Sequence, residues 1–186
     1  MGKNNLIKLM SEKAAGVGTI VHEISCVSEA IQYAVDLNRE KKFKTLTCPG
    51  LDKKDSDSLQ DLCKSSGMNF LKEPLRNHAS SIDTSLTWVD YGIAETGSLM
   101  LVSDSEDIRM ATMLAKIHVA MLSITKIRLN TEQIEVELDE ILKKDSPSYT
   151  AFITGPSRTA DIERVLAIGV HGPVELHLLL IKEMQS

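Results

Sequence analysis

The sequence predicts an α/β fold: a three-layer arrangement in which a largely parallel sheet is flanked by helices. Two observations predict it. Segments with helical periodicity alternate along the chain with short apolar runs bounded by turn residues, the pattern that strand–helix–strand units produce. The chain also has ordinary globular composition, 42% hydrophobic and 25% charged over 186 residues. A chain of that length buries roughly 70% of the surface that its unfolded form exposes. No repeat, low-complexity tract or linker interrupts the pattern, so residues 1–186 read as a single domain.

Taken in order, residues 27–41 carry Val27, Ile31, Ala34, Val35 and Asn38 on one side of a helix that starts near Val27 or Ser28. Residues 45–48 form a short strand closed by Pro49-Gly50. Residues 55–66 read as a helix with Leu59, Leu62 and Cys63 facing inward, Asp57 and Gln60 at capping-pair spacing, and Gly67 as its stop. A strand begins at 69–71, and 72–84 is polar and irregular. The runs 86–93 and 99–102 are apolar, the second short enough for a buried strand; 107–115 is helical and 117–124 is a strand rich in β-branched and long apolar residues. Residues 130–144 form the clearest helix, with Ile134, Leu138, Ile141 and Leu142 at helical spacing and Asn130 and Gln133 as its cap. Residues 151–154 form a strand running into Gly155-Pro156-Ser157. Two more strand-like runs, 165–170 and 176–181, flank His171-Gly172-Pro173.

Charge and composition remove several function classes. With 21 basic and 26 acidic residues the net charge is −5, which argues against general nucleic-acid binding, since that needs a basic face. Aromatic residues are only 4%, so no base-stacking platform is visible. No apolar run reaches the 18 or so residues of a membrane-spanning helix, and the first ten residues lack the apolar core of a secretory signal. The three cysteines include no CxxC pair, so neither a zinc ribbon nor an iron–sulfur cluster is written here, and free thiols in a reducing cytoplasm are expected. The acidic run 132–140 spreads over several faces of one helix and reads as a solvated surface.

Three segments can carry chemistry. In Ile153-Thr154-Gly155-Pro156-Ser157-Arg158-Thr159-Ala160-Asp161, Gly155 permits a tight turn and close approach of a ligand. Ser157 and Thr159 offer hydroxyls, and Arg158 offers a planar fork for carboxylate or phosphate. A helical turn opening near Thr159 would add free N–H groups; the plainer alternative is an ordinary turn with Asp161 pairing Arg158. In Asp90-Tyr91-Gly92-Ile93-Ala94-Glu95-Thr96-Gly97-Ser98, Glu95 is placed as base, nucleophile or hydroxyl acceptor, or else as an acceptor for nearby backbone. In Gly169-Val170-His171-Gly172-Pro173, His171 is an acid–base candidate with a pKa near neutrality, or a turn histidine bonded to a carbonyl. Arg109 and His118 can add charge and a proton donor, though each alone is more simply a surface or sheet-edge residue.

Taken together and in this order, these segments resemble the LUD-domain family, that of lactate-utilization protein C. The matching runs are Gly92-Ile93-Ala94-Glu95-Thr96-Gly97-Ser98-Leu99-Met100-Leu101, then Thr154-Gly155-Pro156-Ser157-Arg158-Thr159-Ala160-Asp161-Ile162-Glu163, then Ile168-Gly169-Val170-His171-Gly172-Pro173. The resemblance implies a fold similar to the NagB/RpiA/CoA-transferase-like group. It also implies a role in oxidising L-lactate to pyruvate beside iron–sulfur partner proteins that carry the clusters, with no cofactor in this chain. Fold relatives bind phosphorylated sugars or coenzyme A, so a small anionic ligand at the glycine-rich loops is expected by analogy. Its candidate contacts are Thr96, Gly97, Arg109, His118, Gly155, Pro156, Ser157, Arg158, Thr159, Asp161 and Gly172. Ala115-Lys116 stands where family members usually carry Leu-Pro, and the resemblance implies a longer leading segment in those members.

Three functions remain open on the sequence. The first is an accessory subunit of lactate oxidation. The second is a stand-alone enzyme for a phosphorylated or CoA-linked small molecule, with Glu95 as base or nucleophile and His171 as helper. The third is an interaction module that recruits a partner or a second copy through a sheet edge or apolar face.

Overall fold

The computed structural model describes residues 2–143, 149–160, 166–168 and 172–182. In chain order the elements are α1 (Lys3–Gly16), β1 (Ile20–Ile24), α2 (Val27–Glu40), β2 (Thr45–Thr47), α3 (Lys53–Ser65), β3 (Asn69–Phe70), β4 (Thr84–Trp88), β5 (Tyr91–Ile93), β6 (Ser98–Ser103), α4 (Glu106–Leu114), β7 (Ile117–Ser123), β8 (Ile127–Arg128), α5 (Glu135–Leu142), β9 (Tyr149–Ile153), β10 (Arg158–Ala160), β11 (Leu166–Ile168) and β12 (Glu175–Ile181).

Six strands form one sheet in the order β1-β12-β7-β4-β2-β3, and every neighbouring pair in it is parallel. The two strands richest in apolar residues, β7 and β12, lie inside it, as strands covered on both faces should. Alternation along them divides the interior. Ile117, Val119, Met121, Leu179 and Ile181 face one way and pack with Leu46 and Leu86 against Ala30, Ile31, Ala34 and Val35 of α2 and Leu59 and Cys63 of α3. Ala120, Leu122, Leu176, Leu178 and Leu180 face the other way and meet Ile7, Met10 and Ala14 of α1 and Leu99 and Leu101 of β6. Each fully buried Val, Leu, Ile or Met among them contributes about 1.5–3 kcal/mol.

The second flanking layer is therefore partly a sheet. Strands β8-β5-β6-β9 form a mostly antiparallel sheet stacked on the parallel one. Its outer face, with Ile93 and Met100, is covered by Ile134, Leu138 and Ile141. The run 86–93, which reads as one strand in sequence, splits between the two sheets. The Val89 N–H donates to Met121 O of the parallel sheet and the next N–H, that of Asp90, donates to Met100 O of the other. Two consecutive donors thus serve two sheets, and the chain must bend between them.

Two smaller differences lie at helix ends. α3 starts at Lys53 because Asp52 caps it, accepting from Asp55 N at 2.8 Å; Asp57 and Gln60 lie inside the helix. The segment after Asn130 opens as a 3-10 turn, Thr131–Ile134, before α5. Its cap is the one the sequence suggested: Asn130 Oδ1 accepts from Gln133 N, and Gln133 Oε1 accepts from Leu129 N. Among the described residues no helix is long and apolar enough to cross a membrane.

Asp83 ties together the amino ends of three parallel strands. Its Oδ2 accepts from Lys44 N at 2.8 Å and Thr45 N at 3.0 Å, and its Oδ1 accepts from Lys116 Nζ at 2.6 Å. Burial pushes this carboxyl up, but the Lys116 bond and the two backbone N–H bonds outweigh it and hold it below the usual carboxylate range. Asp83→Ala would leave two backbone donors and an ammonium without their acceptor. Urea denaturation should show a loss of about 3 kcal/mol. A loss below about 0.5 kcal/mol would show that water replaces the carboxylate at no cost.

Candidate functional site

Two of the three glycine-bearing segments close against the C-terminal end of α1. Gly97, in the turn between β5 and β6, has φ +68°, and a Cβ on it would come within 2.3 Å of Ala14 N. Gly155, after β9, has φ +78°, and its Cβ would come within 2.4 Å of Val17 O. Only glycine fits either place. The two turns are joined by a hydroxyl ladder: Thr96 Oγ1 donates to Ser98 Oγ at 2.8 Å, and Ser98 Oγ lies 2.7 Å from Thr154 Oγ1.

The loop from Gly155 to Arg158 is held from several sides. Arg158 Nη2 donates to Val17 O at 2.8 Å, and that is the one hydrogen bond of its exposed guanidinium among the described residues. Pro156 lies against Gly18. Ser157 N donates to Pro173 O at 2.9 Å. Gly172 makes room for Ser157, since a Cβ there would stand 3.0 Å from Ser157 Cβ and 3.9 Å from Met113 O of α4.

Val17 precedes β1, and Pro173 precedes β12. The N–H of Val174 donates to Lys116 O, just ahead of β7. The loop thus follows a carboxyl end only in the smaller sheet, and it meets the parallel sheet at its amino edge, opposite the usual crevice. Thr159 itself lies in a strand, not at the opening of a helical turn. Arg158, Thr159 and Ala160 form β10, paired antiparallel with β11, so helix N–H groups do not contribute there. Asp161 and His171 lie outside the described residues.

The other candidates are distributed more widely. Glu95 is exposed at the β5–β6 turn, with its N–H donating to Leu129 O. Asp90 accepts from Val102 N at 2.7 Å; burial pushes its carboxyl up, opposed by that bond and by Lys126. The Arg109 guanidinium lies 5.8 Å from the centroid of the Tyr149 ring, a cation–π contact. Tyr149 opens β9 and Gly155 follows its end, so this contact is made at the end of β9 away from the loop. Met113, one turn further along α4, is the residue that reaches Gly172.

His118 on β7 is fully buried, with Nε2 2.8 Å from Thr87 Oγ1. Burial pushes its pKa down to about 4, so it brings no positive charge to a ligand near neutral pH. Its Nδ1 and the Oγ of Ser85, its register partner on β4, are buried without a hydrogen-bond partner among the described residues.

A further cluster has no counterpart in the sequence motifs. Tyr33, His177, Glu175 and Lys41 form a hydrogen-bonded chain beside β1 and β12. Glu175 and His177 stand two apart on one strand and therefore share a face, which was the available signal. Tyr33, 144 positions from His177, carried none.

Comparison with known proteins agrees with this architecture. A DUF162 family protein from Deinococcus radiodurans superposes with a TM-score of 0.61 over 97% of this chain and 99% of that one; at 13% identity the likeness is one of fold. Lactate utilization protein C of Halalkalibacterium halodurans is 31% identical over 113 residues, 60% of this chain and 49% of that protein. Lactate utilization protein B of Shouchella clausii is 28% identical over 121 residues, 63% of this chain and 24% of that protein. The chain thus spans about half the length of the first and a quarter of the second. The LUD domain family model matches residues 7–181, from the first buried residue of α1 to the last residue of β12, and the chain belongs to that family.

Proposed function

We propose that the chain acts as an accessory component of L-lactate oxidation to pyruvate, beside partner chains that carry iron–sulfur clusters, and holds a small anionic ligand at the loop around residues 155–158. Membership of the LUD domain family over residues 7–181 carries this reading. The relatives named lactate utilization proteins B and C support it, because similar sequence occurs in two differently named components. The cysteines support the division of labour: the chain has three, without a CxxC pair, whereas an iron–sulfur cluster is held by four thiolates. The ligand reading rests on a loop fixed by Val17 and Pro173 that presents the exposed Arg158 guanidinium, a fork suited to carboxylate or phosphate.

Deleting the gene should impair growth with L-lactate as sole carbon source while sparing growth on pyruvate, and a plasmid copy should restore it. Undiminished growth on lactate in the deletion strain would refute the role.

A further inference from the structure

The cleft beside the amino ends of β1 and β12 is lined by Ile20, His22, Tyr33, Leu37, Glu40 and His177, among others, and encloses about 340 Å³. None of these residues belongs to the glycine-bearing segments. His177, with a side chain 3% exposed, sits at its base with Nε2 3.1 Å from Glu175 Oε2 and Nδ1 2.7 Å from Tyr33 Oη. Glu175 Oε1 accepts from Lys41 Nζ at 2.5 Å.

The hydrogen positions follow from this chain. Burial pushes the Glu175 carboxyl up, but its bonds to Lys41 and His177 outweigh that and hold it below the usual range, so it is ionised and can only accept. His177 Nε2 therefore carries the proton and donates it to Glu175, which leaves Nδ1 with a lone pair. The Tyr33 hydroxyl must donate to that lone pair. Burial, then Glu175 and Glu40, push Tyr33 up to about 12, so this proton stays in place. What Tyr33 Oη can offer a ligand is thus an acceptor only.

Charge points the same way. The lining includes three carboxylates, Asp36, Glu40 and Glu175, and one ammonium, Lys41; with histidine counted as neutral the balance is −2. Asp36 is engaged by Arg39 and Gln32, and Glu175 by Lys41 and His177, which leaves the exposed Glu40 as the rim carboxylate without a partner among the described residues. The Tyr33 and His22 rings, 5.0 Å apart between centroids, supply aromatic surface, and Ile20 and Leu37 supply apolar surface.

We propose that this cleft binds a small organic cation, a primary amine with a short apolar body, whose ammonium donates to Tyr33 Oη and to the Glu40 carboxylate while its alkyl part rests on Ile20 and Leu37. The site is separate from the 155–158 loop, and its test is independent of the lactate role.

The full chain, observed through the imidazole ring protons of His22 and His177 by NMR, is titrated at neutral pH with n-butylammonium chloride. Sodium butyrate and 1-butanol serve as charge-reversed and uncharged probes. The ammonium should produce saturable shifts with a millimolar Kd, and the other two should not. Tyr33→Phe keeps the ring and should weaken binding about tenfold. Glu40→Gln, at an exposed position that leaves the fold intact, should weaken it several-fold, and it decides the matter if Tyr33→Phe unfolds. No saturable shift up to about 50 mM, butyrate binding as tightly as the ammonium, or an unchanged Kd in Glu40→Gln would each overturn the proposal.

Discussion

Gly97→Ala should lower the unfolding free energy by about 3–5 kcal/mol, through two separable costs. The first is conformational: at φ +68° an L residue pays about 1–2 kcal/mol relative to glycine. The second is steric. The new Cβ would stand 2.3 Å from Ala14 N and 2.5 Å from the Lys13 carbonyl carbon, both backbone atoms, so α1 itself must shift. Such a shift disturbs the packing of Met10 and Ala14, both fully buried between α1 and the sheets. Gly67→Ala isolates the first cost, because Gly67 has φ +70° but nothing within 4 Å of where its Cβ would be. That control should lose only this, about 1–2 kcal/mol. The pair, compared by urea denaturation, separates the clash with α1 from the conformational cost of the positive φ. Equal losses in both variants would show that α1 does not hold Gly97 in place.

The same contrast explains what could be read in the sequence. α2, α3, β7 and β12 were legible because one apolar face or one continuous apolar run specifies each. α1 was not, because only Ile7, Met10 and Ala14 of its fourteen residues are buried, too thin a stripe to stand out from its polar surroundings. β1 escaped notice because it is an edge strand with one buried residue, Ile24. The second sheet was hidden in the run 86–93, whose mostly apolar character reads as one strand although Asp90 interrupts it and its backbone partners change between Val89 and Asp90. The glycines of the candidate site were legible as positions but not as contacts. That Gly97 and Gly155 are both held by the end of α1 depends on an element more than eighty residues upstream in sequence, and no local pattern encodes it. Likewise, the residue types after Gly155 suit a helix start, yet pairing with β11 makes them a strand; tertiary pairing overrides local preference there.

The buried histidine on β7 has a consequence for acid stability that local patterning also hid. His118 is held neutral by burial, with its pKa pushed down to about 4 from an ordinary 6.5. Because the folded-state value is the lower one, the unfolded chain takes up a proton below about pH 6.5 that the folded chain refuses until about pH 4. The contribution of this group to stability is complete above that window and is lost as pH falls through it. The expected loss is about 2 kcal/mol between pH 7 and pH 5, approaching about 3 kcal/mol at pH 4. His177, also lowered chiefly by burial, adds to the loss with the same sign. The carboxyls of Asp83 and Glu175, held below their usual range, add theirs only at lower pH. Urea midpoints at pH 7 and pH 5, compared between the natural chain and His118→Gln, isolate the effect. The variant is less stable at pH 7, since Thr87 loses its imidazole partner, but its stability should fall less between the two pH values, by about 2 kcal/mol. The same pH dependence in both proteins would mean that His118 accepts its proton in the folded state, and that its unpartnered Nδ1, beside the Ser85 hydroxyl, is more accessible than its burial indicates.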